Sequence, residues 1–306
     1  MADTPWRAGR LGRGDGRPRV LFGWSYEDER VELAAFGPPG PARRVCVIAS
    51  SGETAAACAA AGHRVVAVDI NPTQLEYARG RVDDGAPVVT GTAERGMMAG
   101  RAALALIAPG WRRTRVQAVL SRSPEEVSAY WRAALDRLPL RLLLGAALRP
   151  GAALAGLLRP EFADFVPDRF DLALRRRIGD GLDRHGGGSR FTWRLLTGTE
   201  RPGWTVPVPT SPIEWRHADI IAFLESEPAR SFDGISLSNV TDGAPAEFAE
   251  RLRAATRRAV RPGGAVVSRS FAVGPLDTDD AALLWGTVRI ERASIPGASA
   301  PRLATD

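Results

Sequence analysis

Small or acidic residues stand at the ends of four predicted strands and could hold a nucleoside. Residues 49–52 are small and follow an apolar run, and Asp69 ends the next apolar run. Asp219 and Asn239 end two later predicted strands. A carboxylate such as Asp69 can accept hydrogen bonds from both ribose hydroxyls, and Asp219 can accept one from the exocyclic amine of a purine. These residue types predict a site for an adenosine-bearing ligand.

The loop at residues 49–53 indicates which adenosine compound fits. It reads A-S-S-G-E, so it lacks the G-x-G-x-x-G fingerprint of dinucleotide-binding loops. Glu53 stands where a helix N-terminus would meet a pyrophosphate, and its negative charge would repel phosphate. We therefore predict a cationic ligand without phosphate, S-adenosyl-L-methionine. A nicotinamide cofactor and a fold without activity are the alternatives.

The order of elements around these residues is typical of a doubly wound α/β sheet. The predicted strands cover residues 44–51, 63–69, 213–219, 232–239 and 265–271. The predicted helices between them cover residues 53–61, 73–82, 220–227 and 247–260. Ligands of such sheets bind at the carboxyl ends of the parallel strands. The expected fold is therefore α/β and Rossmann-like, with a mostly parallel sheet.

The middle of the chain differs from the rest in charge. Residues 95–190 hold 17 Arg against 9 Asp and Glu, whereas the net charge of all 306 residues is +6. Apolar residues recur there at helical intervals, so we predict a basic helical insertion over residues 94–190, after the second strand–helix unit. Residues 1–41 are expected to form an N-terminal segment with an aromatic and acidic motif. Residues 42–93 and 191–306 are expected to form the cofactor-binding domain.

The composition excludes several kinds of chemistry. All 41 residues counted as Lys or Arg are Arg, which removes a lysine Schiff base, an amine nucleophile and a P-loop lysine. Two cysteines and three scattered histidines give no metal-ligand spacing, so we expect no metal. The sequence opens without an apolar leader, and Arg and Pro interrupt its longest apolar run, residues 140–158. We therefore expect a cytoplasmic protein.

Five segments of the sequence resemble one enzyme family. They are FGWSYEDE at residues 22–29, VCVIASSGET at 45–54, VAVDINPTQL at 66–75, FDGISLSNV at 232–240 and RPGGAVVSRSF at 261–271. In this order they are similar to the S-adenosylmethionine-dependent 3-amino-3-carboxypropyl transferases. The resemblance implies a Rossmann-like transferase fold and transfer of the 3-amino-3-carboxypropyl group to an acceptor hydroxyl, with release of methylthioadenosine. The implied acceptor is a phenolic hydroxyl in the biosynthesis of a nocardicin-type β-lactam antibiotic. Diacylglycerol, in betaine-lipid synthesis, is the alternative.

The candidate site residues follow from both arguments. An acceptor hydroxyl needs a base within hydrogen-bond reach, and the candidates are Tyr26, Glu27 and Asp28, or one of the histidines. A helix cap is the alternative role for the two carboxylates. Trp24 and Tyr26 could cover a sulfonium by cation–π contact or pack in the core. The predicted cofactor-binding residues are Trp24, Ala49, Ser50, Ser51, Gly52, Glu53, Asp69, Asn71, Gln74, Ala218, Asp219, Ser238 and Asn239.

The basic insertion has two explanations. Its arginines could read the charge of a small, anionic acceptor, which we prefer, or they could lie on an anionic membrane. We expect no nucleic-acid partner, because basic strands with interleaved aromatic residues are missing. A methyltransferase and a nucleoside-binding protein without turnover are the remaining alternatives to the transferase.

Overall fold

The computed structural model of the chain describes residues 5–9, 17–38, 43–148 and 169–294. Its strands are β1 Arg44–Ile48, β2 Arg64–Asp69, β3 Glu214–His217, β4 Phe232–Ser236, β5 Val260–Ser270 and β6 Thr287–Arg292. Its first six α-helices are α1 Pro5–Ala8, α2 Glu29–Phe36, α3 Glu53–Ala60, α4 Pro72–Asp83, α5 Thr92–Ile107 and α6 Arg113–Leu120. The other six are α7 Pro124–Tyr130, α8 Leu138–Leu148, α9 Phe170–His185, α10 Arg190–Thr197, α11 Ile220–Ser226 and α12 Ala246–Ala259.

The six strands form one sheet in the order β3-β2-β1-β4-β5-β6. Strands β1 to β5 are parallel, and β6 runs antiparallel to β5 at the edge. The chain runs outward from β1 to β3 and then returns to the other side of β1 with β4, so the strand order reverses between β1 and β4. The predicted α/β class and the mostly parallel sheet are confirmed, and the arrangement is compatible with a Rossmann-like fold.

The central strands are buried on both faces because helices cover both sides of the sheet. Val45 and Val47 of β1 pack in a core that contains side chains of α2 and α3. Cys46 lies between them in sequence and packs in a second core, with side chains of α11 and α12. Successive side chains of a strand point to opposite faces, so a strand covered on both sides has to be apolar throughout. This is why the apolar runs of β1 and β2 predict buried parallel strands.

Strands β5 and β6 differ most from the sequence expectation, whereas β1, β3 and β4 are each three residues shorter than expected. Strand β5 begins at Val260 rather than at residue 265, and its pairing with β4 shifts register between Phe232 and Gly234. Strand β6 was not predicted. Its burial alternates only weakly, and Arg289, Glu291 and Arg292 lie on its exposed edge, so the segment resembles a polar loop in sequence.

Helices α5 to α10 pack around a third core, which includes Leu104, Trp131 and Leu182. Helix α10 crosses the predicted boundary after residue 190: Phe191 packs in the sheet core, while Trp193 packs in the helical core. The division into residues 42–93, 94–190 and 191–306 stays a prediction. Residues 149–158 of the predicted apolar run and residues 295–306 lie outside the described residues. None of the described helices has the length and apolar character needed to cross a bilayer.

Candidate functional site

A cavity of about 400 Å³ opens at the carboxyl ends of β1 to β4. This volume lies in the range of small-molecule sites, about 300–1,000 Å³. Seven residues predicted to bind a cofactor lie in its wall, namely Ser50, Asp69, Gln74, Ala218, Asp219, Ser238 and Asn239. The parallel sheet thus brings together residues that are up to 189 positions apart in sequence.

Asp69 ends β2 and lies in the cavity wall. The backbone N–H of Asn71 donates to Asp69 Oδ1 at 2.9 Å, and that of Ser50 donates to Oδ2 at 3.2 Å. Burial raises the pKa of Asp69 to about 7, although both hydrogen bonds favour the ionised form. Each carboxylate oxygen has a second lone pair, so Asp69 can still accept hydrogen bonds from a ligand.

Asp219 follows β3 and caps α11. Its Oδ1 accepts the backbone N–H groups of Ile221 at 3.0 Å and Ala222 at 3.1 Å. Within the described ranges, Oδ2 has no hydrogen bond. Asp219 therefore combines a helix cap with a carboxylate oxygen that remains for a ligand.

Ser50 and Ser238 have the left-handed backbone conformation that favours glycine, with φ of 47° and 53°. Ser50 follows β1 and Ser238 follows β4, the two strands between which the strand order reverses. Ser50 is held there because its N–H donates to Asp69 and its carbonyl accepts from Gln74 Nε2 at 2.6 Å. Strained residues of this kind cluster at binding and catalytic sites.

Gln74 and Asn71 bind the N-terminal segment through hydrogen bonds beside the cavity. Gln74 Oε1 accepts the N–H of Leu21 at 2.8 Å, and Gln74 Nε2 donates to Phe22 O at 2.9 Å. Gln74 therefore fixes the N-terminal segment beside the cavity. Asn71 lies outside the wall. It caps α4, and its Nδ2 donates to Arg19 O at 2.8 Å.

Glu53, which was predicted to bind the cofactor, lies outside the cavity wall. Its buried carboxylate lies 2.7 Å from Arg81, 3.2 Å from Arg190 and 2.7 Å from Arg194. Although burial acts in the opposite direction, these guanidiniums hold the pKa of Glu53 below its ordinary value. We call these four residues the Glu53 cluster. Glu53 does not line the cavity, and its charge is neutralised by the three guanidiniums, so it provides no selection against phosphate there.

The rest of the loop after β1 also lies outside the cavity wall. Ala49 and Ser51 are buried. Gly52 directly precedes α3 as its N-cap, with φ of 86°, and a Cβ there would lie 2.7 Å from Val82 Cγ2. The small residues of this loop therefore permit close packing of α3 against α4.

Trp24 and Tyr26 also lie outside the cavity wall. The Tyr26 ring packs edge-on against Phe22, a wall residue, with centroids 6.2 Å apart. Burial and the nearby Glu94 raise the pKa of Tyr26, so its phenol stays protonated and is no base at neutral pH. The cation over the Trp24 ring is Arg194, at 5.8 Å. The cation–π role expected of Trp24 is therefore taken by a residue of the chain.

Asp28 is a helix cap. It accepts the backbone N–H of Arg30 at 3.2 Å and the guanidinium of Arg30 at 2.6 Å. Although burial acts in the opposite direction, these bonds and the N–H of Ala281 hold the pKa of Asp28 below its ordinary value. Asp28 therefore has the structural role that was the alternative to catalysis.

Glu27 has different surroundings. It accepts a hydrogen bond from Ser238 Oγ and lies 3.6 Å from Arg269. Arg269 also binds Glu32 at 2.5 Å and Asp280 at 2.8 Å, and we call these four residues the Arg269 cluster. Burial raises the pKa of Glu27 to about 7. Of the three predicted catalytic residues, Glu27 is the one that joins a wall residue to a carboxyl able to change protonation near neutral pH.

Sequence reasoning missed the apolar part of the wall, which includes Trp6, Leu21, Phe22, Ile221, Val240 and Phe248. Trp6 belongs to α1, and its Nε1 donates to Asp242 O at 3.3 Å. The only sequence signal for these residues is their apolar type, because they lie on separate helices and loops.

The charged part of the wall is mainly negative. Among the described residues it contains the carboxylates of Asp69, Asp219 and Glu247 and one guanidinium, that of Arg251. Arg251 is also paired with Glu225 at 3.0 Å. This excess of carboxylates favours a cationic ligand over a phosphate.

Comparison of the chain with protein-family models, with curated proteins and with solved structures finds no match. In the described ranges no group of three His, Cys, Asp or Glu side chains is arranged to hold a metal ion. The assignment of a function therefore depends on the cavity and its residues.

Proposed function

We propose that the chain binds S-adenosyl-L-methionine in the cavity and transfers the 3-amino-3-carboxypropyl group of this donor to an acceptor hydroxyl. The observation that carries the proposal is that Asp69, Asp219 and Ser238 meet in one cavity at the carboxyl ends of parallel strands. Asp69 and Asp219 are the two carboxylates that the sequence predicts to bind the ribose hydroxyls and the exocyclic amine of an adenosine. The finer fold assignment, a Rossmann-like S-adenosylmethionine-dependent transferase, belongs to the same proposal.

The cavity residues fit the adenosine part of the donor. Asp69 has lone pairs for the ribose hydroxyls, and Asp219 Oδ2 is available for the exocyclic amine. Apolar side chains such as Phe22 and Ile221 can flank a purine ring. The excess of carboxylates suits the sulfonium and ammonium charges of the donor. The wall carboxylates, rather than Glu53, disfavour the pyrophosphate of a nicotinamide dinucleotide.

When bound, the donor supplies a γ-carbon that the sulfonium makes electrophilic: the acceptor oxygen bonds to this carbon, the carbon–sulfur bond breaks, and methylthioadenosine leaves. The residues of the chain have to remove the acceptor proton. Ser238 lies in the wall and donates to Glu27, whose pKa of about 7 lets it take a proton near neutral pH. We therefore assign Glu27 as the base that receives the proton and Ser238 as the contact to the acceptor.

A phenolic hydroxyl is the acceptor that this base suits best. The pKa of a phenol is about 10, as in tyrosine, which is near enough to that of Glu27 for proton transfer as the new bond forms. An aliphatic alcohol is a much weaker acid. We therefore propose a phenol of a specialised metabolite, of the nocardicin type, as the acceptor.

The test is incubation of the protein with carboxyl-labelled S-adenosylmethionine and phenolic acceptors, followed by product analysis. Formation of methylthioadenosine and labelled acceptor, dependent on the acceptor, would support the proposal. Formation of S-adenosylhomocysteine would instead establish methyl transfer. Tight binding without either product would leave a nucleoside-binding protein.

A binding variant tests the cavity itself. In Asp219→Asn the cap through Oδ1 is kept, while Oδ2 becomes an amide NH₂ that cannot accept from an amine. Because hydrogen bonds to charged groups contribute about 1.5–3 kcal/mol, we expect the Kd for S-adenosylmethionine to rise by at least about tenfold in calorimetric titration. Glu76→Gln is the control, since Glu76 is exposed on helix α4, which also carries the wall residue Gln74, but lies outside the wall. Equal affinities of the two variants would contradict the proposed site.

A further inference from the structure

The solvent side of α5 is apolar over its second half. Met98, Ala99, Ala102 and Ala103 are exposed there. At its end Leu106 and Ile107 are 86% and 67% exposed. Exposed aliphatic side chains in a contiguous group mark surfaces that contact another apolar phase.

Helix α8 extends this surface. A Cβ at Gly100 of α5 would lie 3.5 Å from Leu143 Cδ2 of α8, and Trp111 Nε1, just after α5, donates to Leu135 O, just before α8, at 3.1 Å. The end of α5 therefore lies beside the start of α8. Leu138 and Leu142 at that start are 65% and 64% exposed. We call Leu106, Ile107, Leu138 and Leu142 the apolar face.

Arginines flank the apolar face without acidic partners. Arg112, Arg113 and Arg115 follow α5, and Arg137 directly precedes α8; all four are exposed. Among the described residues no carboxylate pairs with any of these four guanidiniums, which we call the arginine rim. In contrast, the exposed Arg122 elsewhere in the helical region does pair with a carboxylate, that of Glu126. The positive charge of the rim is therefore not compensated by described carboxylates.

We propose that the apolar face docks on an anionic lipid bilayer, with the arginine rim at the lipid phosphates. Aliphatic side chains that enter the boundary between headgroups and acyl chains, flanked by basic residues, are the pattern of surface-bound helices. Guanidiniums bind phosphate oxygens through paired hydrogen bonds. The charge of the rim favours this occupant over an apolar protein surface. None of the four rim arginines lines the cavity, so for them we replace the small anionic acceptor preferred from the sequence by the membrane, its alternative. The inference does not depend on the function proposed above.

The test is sedimentation of the intact protein with vesicles at about 0.15 M salt, where charges are screened beyond about 8 Å. Binding to vesicles of phosphatidylcholine with phosphatidylglycerol, and much weaker binding to phosphatidylcholine alone, is the expected result. Replacing arginines of the rim by Gln should weaken binding about fivefold for each residue, since a basic residue near an anionic surface contributes about 1 kcal/mol. Absence of binding to the anionic vesicles would overturn the proposal.

The double variant Leu106→Ser, Ile107→Ser tests the apolar part. It should lose most vesicle binding and keep its thermal stability, because both side chains are exposed. Val208→Ser is the matched control, since Val208 is 82% exposed on a loop outside the helical region, and it should bind as the wild type does. Two results for the double variant would contradict the proposal. A lower melting temperature would mean that the chain itself covers the apolar face. Dissociation of a dimer formed by the wild type would mean that a second copy of the chain covers it.

Discussion

The Arg269 cluster and the Glu53 cluster contain the same two kinds of charged group in opposite proportions. In the Arg269 cluster one guanidinium lies near the carboxyls of Glu27, Glu32 and Asp280. In the Glu53 cluster one carboxylate is bound by three guanidiniums. Both clusters are buried, so charge imbalance in either of them is costly.

The two imbalances are relieved in different ways. A surplus of carboxyls can be relieved by a proton, and the pKa values of Glu27 and Asp280 are accordingly raised by burial to about 7 and about 6. A surplus of guanidiniums cannot release a proton, because arginine stays charged. It is instead balanced by further carboxylates, Glu29 on Arg190 and Glu200 on Arg194. The first arrangement provides a group that can exchange protons beside the cavity, whereas the second provides a fixed joint between α3, α4 and α10.

The largest effect is expected from Glu53→Gln. It removes the carboxylate that three buried guanidiniums share, and breaking a buried ion pair costs about 3–5 kcal/mol. The free energy of unfolding in urea should fall by about that amount. Glu126→Gln, which breaks the exposed pair with Arg122, should cost less than about 1 kcal/mol. A similar small loss in both variants would show that the Glu53 cluster is no structural joint.

Glu27→Gln should act on turnover rather than on folding. Glutamine keeps the shape of Glu27 and can accept the hydrogen bond from Ser238, but it cannot take a proton at neutral pH. Because a general base contributes about 100-fold or more, we expect kcat to fall by at least that factor. The KM for S-adenosylmethionine should stay within about threefold, because Glu27 lies outside the cavity wall.

The pH profile distinguishes this role from a structural one. In the wild type kcat should rise with pH through the Glu27 pKa of about 7, and this rise should be absent in Glu27→Gln. Loss of activity with an unchanged pH profile would assign the base to another group.

The contrast between the clusters also separates what the sequence predicts from what it does not. Asp69 and Asp219 are predictable because each stands at or just after the end of a strand, and strand ends of a parallel sheet meet at one edge. The role of Glu53 is not, because its partners Arg190 and Arg194 are 137 and 141 residues away. The local sequence predicts the helix that Glu53 begins, but the charge around Glu53 depends on how α4 and α10 pack against it.

The same distinction applies to the neighbours Glu27 and Asp28. The sequence offers both as bases or caps, since either type can cap a helix. The choice between them depends on Ser238 and Arg269, more than two hundred residues further along the chain. The sheet, its parallel order and the aspartates at its edge are therefore accessible from sequence, whereas the protonation chemistry is not.

A smaller effect concerns the dependence of stability on pH. The pKa of Glu27 is raised by burial from 4.5 to about 7, so the folded chain binds a proton that the unfolded chain releases in this window. This contribution to stability is complete below pH 4.5 and is lost as the pH rises to about 7. For Glu53 the pKa is lowered, so its contribution is lost only on acidification below its ordinary range.

Urea unfolding at several pH values measures this contribution. Between about pH 5 and pH 7.5 the wild type should lose about 2 kcal/mol more than Glu27→Gln does. The variant corrects for other titrating groups such as His63, whose pKa is lowered by burial. Identical slopes in wild type and variant would show that the folded chain does not protonate Glu27 in this window.

The smallest effect is expected from Asp280→Asn, which removes one carboxylate from the Arg269 cluster. Asp280 is one of the carboxylates whose negative charge raises the pKa of Glu27, while Arg269 lowers it. In Asp280→Asn one carboxylate is removed and Arg269 remains, so ionised Glu27 becomes more favourable and its pKa should fall by less than about one unit. The rise of kcat with pH should move to lower pH by the same amount. Asp277→Asn is the control, because Asp277 is exposed and binds the N–H of Ile290 on β6; it should leave the profile in place. If kcat of Asp280→Asn rose at a higher pH than that of the wild type, Asp280 would act mainly by holding Arg269 in position for Glu27. The surplus of carboxyls would then not explain the raised pKa of Glu27.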